Sequence, residues 1–386
     1  MIDTSPLFEP FQLNKLTLAN RFVMPGMQRG WCIDGVPLPK LTDYYVDRVE
    51  GGVSLIVTES LAVDHPSATD AAIFCRLNAH SFSAWKVCIG RVKASGGNIL
   101  CQLWHEGALR QQGGDEADGF VPTLSASGLV SGSKANGRGA TLREIKDIKH
   151  AFVASAVLAQ DAGADGVEIH AAHGYLLDQF LWTATNLRVD QYGGNIVNRG
   201  RLVAEIIADV RTRCGPDFVI SVRFSQWKEI DFEASIVRSP AELAMLLEMW
   251  QQAGADVFHA STRRFWEREW PDHDMNLAAW AKALSGIPSI TVGSVGLDRD
   301  IMATFFGEEA NPKLEDGLRE LSDRVRLGQF DLVAVGRNLI GDSQWVRKVQ
   351  DRRYADIRQF RRADLGQRDD IAMDFVAEAN QREIAP

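Results

Sequence analysis

Three polar rings fall within six residues in the stretch Glu168-Ile169-His170-Ala171-Ala172-His173-Gly174-Tyr175. His170 and His173 are three apart, so a single helical turn after a strand would point both imidazoles the same way. Two neutral imidazole N–H groups so placed can grip one oxygen of a substrate and withdraw electron density from it. Tyr175, whose ordinary pKa is roughly 10, keeps its proton at neutral pH and can deliver it. The same residues allow a bland reading, in which the histidines hold nearby carbonyls and Tyr175 packs in a core. They also allow a metal reading, because Glu168, His170 and His173 are ligand types that zinc accepts.

Two glycine-bearing stretches, Gly293-Ser294-Val295-Gly296 and Gly336-Arg337, follow short apolar runs. Where such loops close a barrel, backbone N–H groups and a helix N-terminus face a phosphate, and Arg337 would add a two-pronged donor. The alternative is a pair of ordinary turns with a surface arginine. Gln102 and Arg223 each sit inside or at the end of another apolar run. A buried arginine without a partner is expensive, so Arg223 is expected to face a ligand or a carboxylate. An amide and a guanidinium together can read the pyrimidine edge of a flavin.

Residues that converge this way need a scaffold, and the chain supplies eight short, nearly continuous apolar runs. They cover 21–24, 53–58, 98–103, 165–169, 218–223, 255–259, 289–292 and 330–335. Such runs are the mark of strands buried on both faces of a parallel sheet. Helical patterns over 143–162, 198–214, 240–253 and 312–327 lie between them, and several end on glycine just before the next strand. Eight βα units are the recipe for an α/β fold of the closed (β/α)₈ TIM-barrel type, with its site at the C-terminal strand ends. An open doubly wound sheet is the rival. Segment 107–139 reads as a polar excursion over the barrel mouth, and 263–276, with Trp266 and Trp270, as a second loop able to wall a pocket.

Composition narrows the function classes. The 386 residues carry a formal charge of −9, which offers no general attraction for nucleic acid. Cys32, Cys75, Cys88, Cys101 and Cys214 are widely spaced and read as reduced thiols. Neither a signal peptide nor an apolar run of membrane-spanning length is legible, so a cytoplasmic protein without membrane partners is expected. No linker divides the chain. The expectation is one domain over 1–386, with a core at about 7–345 and a helical tail over 346–386.

These residues resemble the Old Yellow Enzyme family of flavin-dependent ene-reductases. The likeness runs from Leu7-Phe8-Glu9-Pro10 and Leu18-Ala19-Asn20-Arg21-Phe22-Val23-Met24-Pro25 through Gln102-Leu103-Trp104-His105-Glu106-Gly107. It continues in His170 to Phe180, Asn186, Tyr192-Gly193-Gly194-Asn195 and Asn198-Arg199, and closes at Val335-Gly336-Arg337 and Asp342.

The resemblance implies a bound FMN and NADPH or NADH as co-substrate. Pro25, Gly26, Met27, Gln28 and Ser60 would lie along the flavin, Gln102 and Arg223 at its pyrimidine side, and Gly293, Ser294, Gly336 and Arg337 at its phosphate. His170 and His173 would bind the activating oxygen of an electron-poor alkene, an enone, nitroalkene or maleimide, beside Trp104. Tyr175 would protonate the alkene after hydride transfer, and no metal is implied. The family usually places Thr or Cys where this chain has Gln28, which alters the hydrogen bond to the flavin. No cysteine follows Cys214, so the iron–sulfur motif of larger relatives is not legible and electrons should come directly from the nicotinamide. Rival readings are a flavin amine dehydrogenase or demethylase on the same scaffold, a metal-dependent hydrolase using Glu168, His170 and His173, and a non-catalytic flavin carrier. The substrate, the nicotinamide preference and any homo-oligomer are not legible.

Overall fold

A computed structural model of the chain describes residues 2–110 and 121–365. Eight strands form its centre: Phe22–Met24 (β1), Leu55–Val57 (β2), Asn98–Trp104 (β3), Gly166–His173 (β4), Val219–Lys228 (β5), Val257–Ser261 (β6), Ser289–Val292 (β7) and Leu332–Ala334 (β8). Each pairs in parallel with the next, and β8 pairs back to β1. The ring is closed, so the (β/α)₈ barrel expected from the run pattern is what forms, and the open sheet is not.

The barrel is filled from its N-terminal end. Leu55, Val219, Val257 and Leu332, the first residues of four strands, pack with Leu13 and Leu18 in one buried cluster. Those two leucines belong to an antiparallel hairpin, Phe11–Leu13 with Leu16–Leu18, that plugs the floor. With one mouth sealed by apolar side chains, polar groups collect at the other. The outer helices bury their apolar stripes against the strands. Leu142–Asp161, for example, starts on a reciprocal cap in which Thr141 Oγ1 accepts from the Glu144 N–H and the Glu144 carboxylate accepts from the Thr141 N–H.

Two strands run further than the apolar pattern suggests. The sequence reading stops β4 at residue 169 and β5 at residue 223, where polar side chains begin. In the structure both ladders continue through His173 and Lys228. Pairing beyond Ile169 joins His170 to Arg223 and Ala171 to Phe224, then slips so that His173 meets Lys228. The two histidines are therefore presented by an irregular strand, not by the helical turn expected from their spacing.

The excursion at 107–139 is described over 107–110 and 121–139, where Leu124–Ser125 pairs in parallel with Arg138–Gly139. Asn136 Nδ2 ties it down by donating to the carbonyls of Ala108 and Arg110, both at 2.7 Å. Of the helical tail expected over 346–386, a helix covers Trp345–Gln350 and 3₁₀ turns cover Tyr354–Asp356 and Arg362–Leu365. Residues 366–386 lie outside the described residues. Among the described residues no helix is long and apolar enough to cross a membrane.

Candidate active site

The C-terminal strand ends open on a cavity of about 470 Å³, a size typical of small-molecule sites. Fourteen residues singled out in the sequence line it: Pro25, Gly26, Met27, Gln28, Ser60, Gln102, His170, His173, Tyr175, Arg223, Gly293, Ser294, Gly336 and Arg337.

On one wall Gln102, from β3, donates through Nε2 to Glu168 Oε1 at 2.8 Å, and its Oε1 accepts from Ser60 Oγ at 2.6 Å. The other Glu168 oxygen accepts from Ser221 Oγ at 2.9 Å and lies 2.7 Å from His259 Nδ1. Burial alone would raise the Glu168 carboxyl, but His259, Arg223 and Gln102 outweigh it and hold the group down at about 2. Gly26 sits against this amide so closely that a Cβ would come within 2.7 Å of Gln102 Nε2 and 2.8 Å of the Thr58 carbonyl. Arg223 reaches across with Nη1 3.4 Å from the Gly26 carbonyl and Nη2 3.3 Å from Ser261 Oγ. Its Nε and both amide atoms of Gln28 are buried without a hydrogen-bond partner.

The imidazoles of His170 and His173 meet edge to face with ring centres 5.2 Å apart. Burial, with the nearby Arg223 charge, pushes His170 down to about 3 and His173 well below its ordinary value, so both are neutral across the physiological range. His170 Nδ1 accepts from the Ala172 N–H at 3.3 Å, which places the ring proton on Nε2 as a donor. His173 Nε2 is held 2.8 Å from Ser261 Oγ, so Nδ1 is its remaining nitrogen. The His173 backbone has a φ of +65°, a left-handed conformation that costs a non-glycine residue about 1–3 kcal/mol and is concentrated at functional sites.

Tyr175 stands beside them, with its ring 5.2 Å from His170 and 5.2 Å from Trp104, edge-on to both. Its hydroxyl shares a hydrogen bond with the Glu229 carboxyl group, 3.3 Å from Oε2. The turn that carries it is fixed from behind: the Gly174 N–H donates to Asp178 Oδ2 at 2.6 Å, and Lys228 Nζ donates to Asp178 Oδ1 at 2.8 Å, both side chains fully buried. Trp104, expected at the substrate, lies one layer back from the cavity. It is not part of the cavity wall and stands behind Tyr175 and Phe74, with its ring 5.0 Å from the latter. As the last residue of β3 and nearly fully buried, it buttresses the groups that do face the cavity.

At the opposite end lie the two glycine loops. Gly293 has a φ of +139°, and a Cβ there would come within 2.7 Å of the Thr262 carbonyl, so only glycine fits. Arg337 is buried, and its guanidinium is not a free fork. Nη1 donates to the Asp300 carbonyl at 3.0 Å and to Thr304 Oγ1 at 2.9 Å, while Nη2 donates to Ser294 Oγ at 3.1 Å and to the Arg299 carbonyl. It braces the loop after β7 and keeps its charge beside the cavity, since burial brings it down only to about 10.

Sequence reading missed Ile73, Phe74, Trp227 and Glu229, which also line the cavity. Trp227 packs on His173 with ring centres 4.8 Å apart, and it belongs to the part of β5 beyond the expected strand end. The second loop contributes Arg263 to the wall, next to Thr262 just before it, whereas Trp266 and Trp270 pack against Phe265 and Trp280. Glu168 turns to Gln102, Ser221 and His259, and among the described residues no three His, Cys, Asp or Glu side chains are grouped to hold an ion.

Residues 6–311 match the NADH:flavin oxidoreductase / NADH oxidase family. The NADH oxidase of Thermoanaerobacter brockii is 32% identical over 93% of this chain, although the chain spans only 53% of that protein. 12-oxophytodienoate reductase 7 of Oryza sativa subsp. japonica is 31% identical over 90% of this chain and 88% of its own length. Among solved structures, morphinone reductase superposes with a TM-score of 0.75 at 25% identity, covering 93% of this chain and 92% of that one. The Old Yellow Enzyme from Pichia sp. AKU4542 shares the fold with a TM-score of 0.76 at 24% identity, over 94% of this chain and 90% of that one. The chain belongs to the NADH:flavin oxidoreductase / NADH oxidase family, that of the Old Yellow Enzymes.

Proposed function

We propose that this chain is an FMN-dependent NAD(P)H oxidoreductase that reduces electron-poor carbon–carbon double bonds. The observation that carries this reading is the convergence of His170, His173 and Tyr175 on one wall of a cavity whose other walls present Gln102, Arg223 and Gln28. The residues fit the cofactor. The buried amide of Gln28 and the Nε of Arg223 have no hydrogen-bond partner, and a heteroaromatic ring edge with alternating donors and acceptors would satisfy them. Gln102, fixed by Glu168, offers a carbonyl oxygen on that side, and Arg223 offers positive charge. Ser294, Gly336 and Arg337 line the cavity on the loops after β7 and β8, and the Arg337 charge there suits a phosphate.

When bound, FMN supplies a hydride that it accepts from NADH or NADPH and yields to the alkene. The rest is done by side chains. His170 Nε2–H and His173 hold the oxygen of an enone, nitroalkene or maleimide and stabilise the charge that grows on it. Because both rings are neutral, they donate hydrogen bonds without neutralising that oxygen by proton transfer. Tyr175, locked between Trp104 and His170, delivers the proton to the α-carbon. The aromatic and aliphatic wall of Ile73, Phe74 and Trp227 suits an apolar alkene body.

The test is anaerobic mixing of the purified protein with each nicotinamide, followed by a panel of enones, nitroalkenes and maleimides. The reading expects a yellow protein that bleaches with NADH or NADPH and recovers its colour with at least one alkene. A colourless protein that binds no added FMN contradicts it.

A further inference from the structure

The feature of this site that neither the family match nor the mechanism above uses is Glu229. It follows directly on β5, and among the described residues lining the cavity it is the only carboxylate. Its backbone N–H lies 3.4 Å from the His173 carbonyl, which ties it to the same irregular stretch that presents the imidazoles. Its two oxygens stand 3.3 and 3.5 Å from the Tyr175 hydroxyl. A carboxylate in that place poses a problem for a tyrosine acid. Once Tyr175 gives up its proton, a phenolate would face a second negative charge at hydrogen-bond distance, in a cavity of low dielectric.

We propose that Glu229 is the proton store for Tyr175, protonated when the alkene is reduced and delivering its proton to the phenolic oxygen as that oxygen loses its own. The proposal rests on the reading of Tyr175 as the acid. In the step, the Tyr175 O–H bond breaks and a C–H bond forms at the α-carbon. The Glu229 O–H bond breaks in turn and the Tyr175 O–H bond is remade. Glu229, left as a carboxylate, takes a proton from water through the cavity, so each turnover consumes one solvent proton and changes no oxidation state at either residue. Glu229 is half-buried and lines the cavity, which supplies that route.

The groups around it let Glu229 hold its proton into the neutral range, with about half of the molecules protonated near pH 7. From β4 and its turn, Tyr175 faces it while His170 and His173 line the same cavity, and none of the three carries positive charge. From β5, Lys228 is turned away into Asp178, and Arg223 is shared with Glu168 and Ser261. From the loop after β6, Arg263 is paired with Asp300. Burial accordingly pushes Glu229 up to about 7, against the smaller opposing pull of the Tyr175 hydrogen bond and Arg223.

The experiment is stopped-flow oxidation of the pre-reduced holoenzyme by an enone across the range around pH 7, in water and in deuterium oxide mixtures. In the wild type the rate constant should fall about tenfold per pH unit above about pH 7. Its dependence on deuterium fraction should be bowed, because two protons move together. Glu229→Gln should lose the break and give a straight line, while Glu229→Asp should keep the break. Reduction by NADH is followed separately in both variants, so that the change in pH profile is read on the alkene step alone. An infrared titration should show a protonated-carboxyl band that fades across about pH 7 and is missing in Glu229→Gln. A wild-type rate that does not break near neutrality overturns the proposal without any variant, and so does a Glu229→Gln protein with the wild-type profile. If Tyr175→Phe leaves enone reduction intact, the acid reading itself has failed. If Tyr175→Phe stops it while Glu229→Gln behaves as wild type, only the store is wrong.

Discussion

Gln102 Nε2 donates to Glu168 Oε1 at 2.8 Å, with both side chains fully buried at the barrel mouth. A glutamine amide can be turned either way at little cost, and a buried carboxylate removes the choice because it only accepts. Glu168 therefore decides that Gln102 shows the cavity wall an oxygen, and it balances the charge of Arg223. Glu168→Ala should destabilise the protein by about 3–5 kcal/mol, the usual effect of leaving a buried charge uncompensated. Urea unfolding of the variant and wild type, read as a shift in midpoint at constant slope, checks this.

The Lys228–Asp178 pair makes a second, separable prediction. Both groups are fully buried, and Asp178 also accepts the Gly174 N–H that sets the turn before Tyr175. Lys228→Met should destabilise by about 3–5 kcal/mol because it strands the Asp178 carboxylate, whereas the double variant with Asp178→Asn should recover much of that loss. A double-mutant cycle in denaturant measures it, and additive losses would show that the two charges do not act together.

Acid should weaken the fold through its buried histidines. His170 titrates near 3 in the folded chain, and His105, His173 and His259 are also driven down by burial. Unfolded, these rings take up protons below roughly pH 6.5, and the native state does not follow. The stability they contribute is complete above that pH and is lost as pH falls toward the native values. For His170 alone the loss is about 2 kcal/mol at pH 5. His170→Asn should flatten the fall in melting temperature between neutral and mildly acid pH, and an unchanged slope would place the proton uptake elsewhere.

The barrel was legible because most of its strands are apolar on both faces, as at Leu55 to Val57 and Leu332 to Ala334, so run length alone marks them. What was not legible is how polar residues behave once they enter a ladder. His170, Arg223 and Lys228 end the apolar pattern yet continue the strands, since neighbouring backbones still pair there. The slip beside His173, and its left-handed φ, leave no trace in residue type, so spacing alone suggested a helical turn. The surroundings of Trp104 were not legible either, since Phe74, which packs on its ring, arrives from a distant loop. Glu229 reads in the sequence as half of an ordinary charged pair, Lys228-Glu229, and only the partners in space, Asp178 for one and Tyr175 for the other, separate their roles.

The division of labour at the cavity is most directly tested by Tyr175→Phe, which keeps the ring between Trp104 and His170 and removes only the hydroxyl. Anaerobic double-mixing stopped flow, following the visible flavin absorbance, gives the rate of reduction by nicotinamide and of reoxidation by an enone separately. The account predicts reoxidation slowed about 10²–10⁴-fold, the usual contribution of a positioned acid, with reduction little changed. Equal slowing of both steps, or of neither, would contradict it.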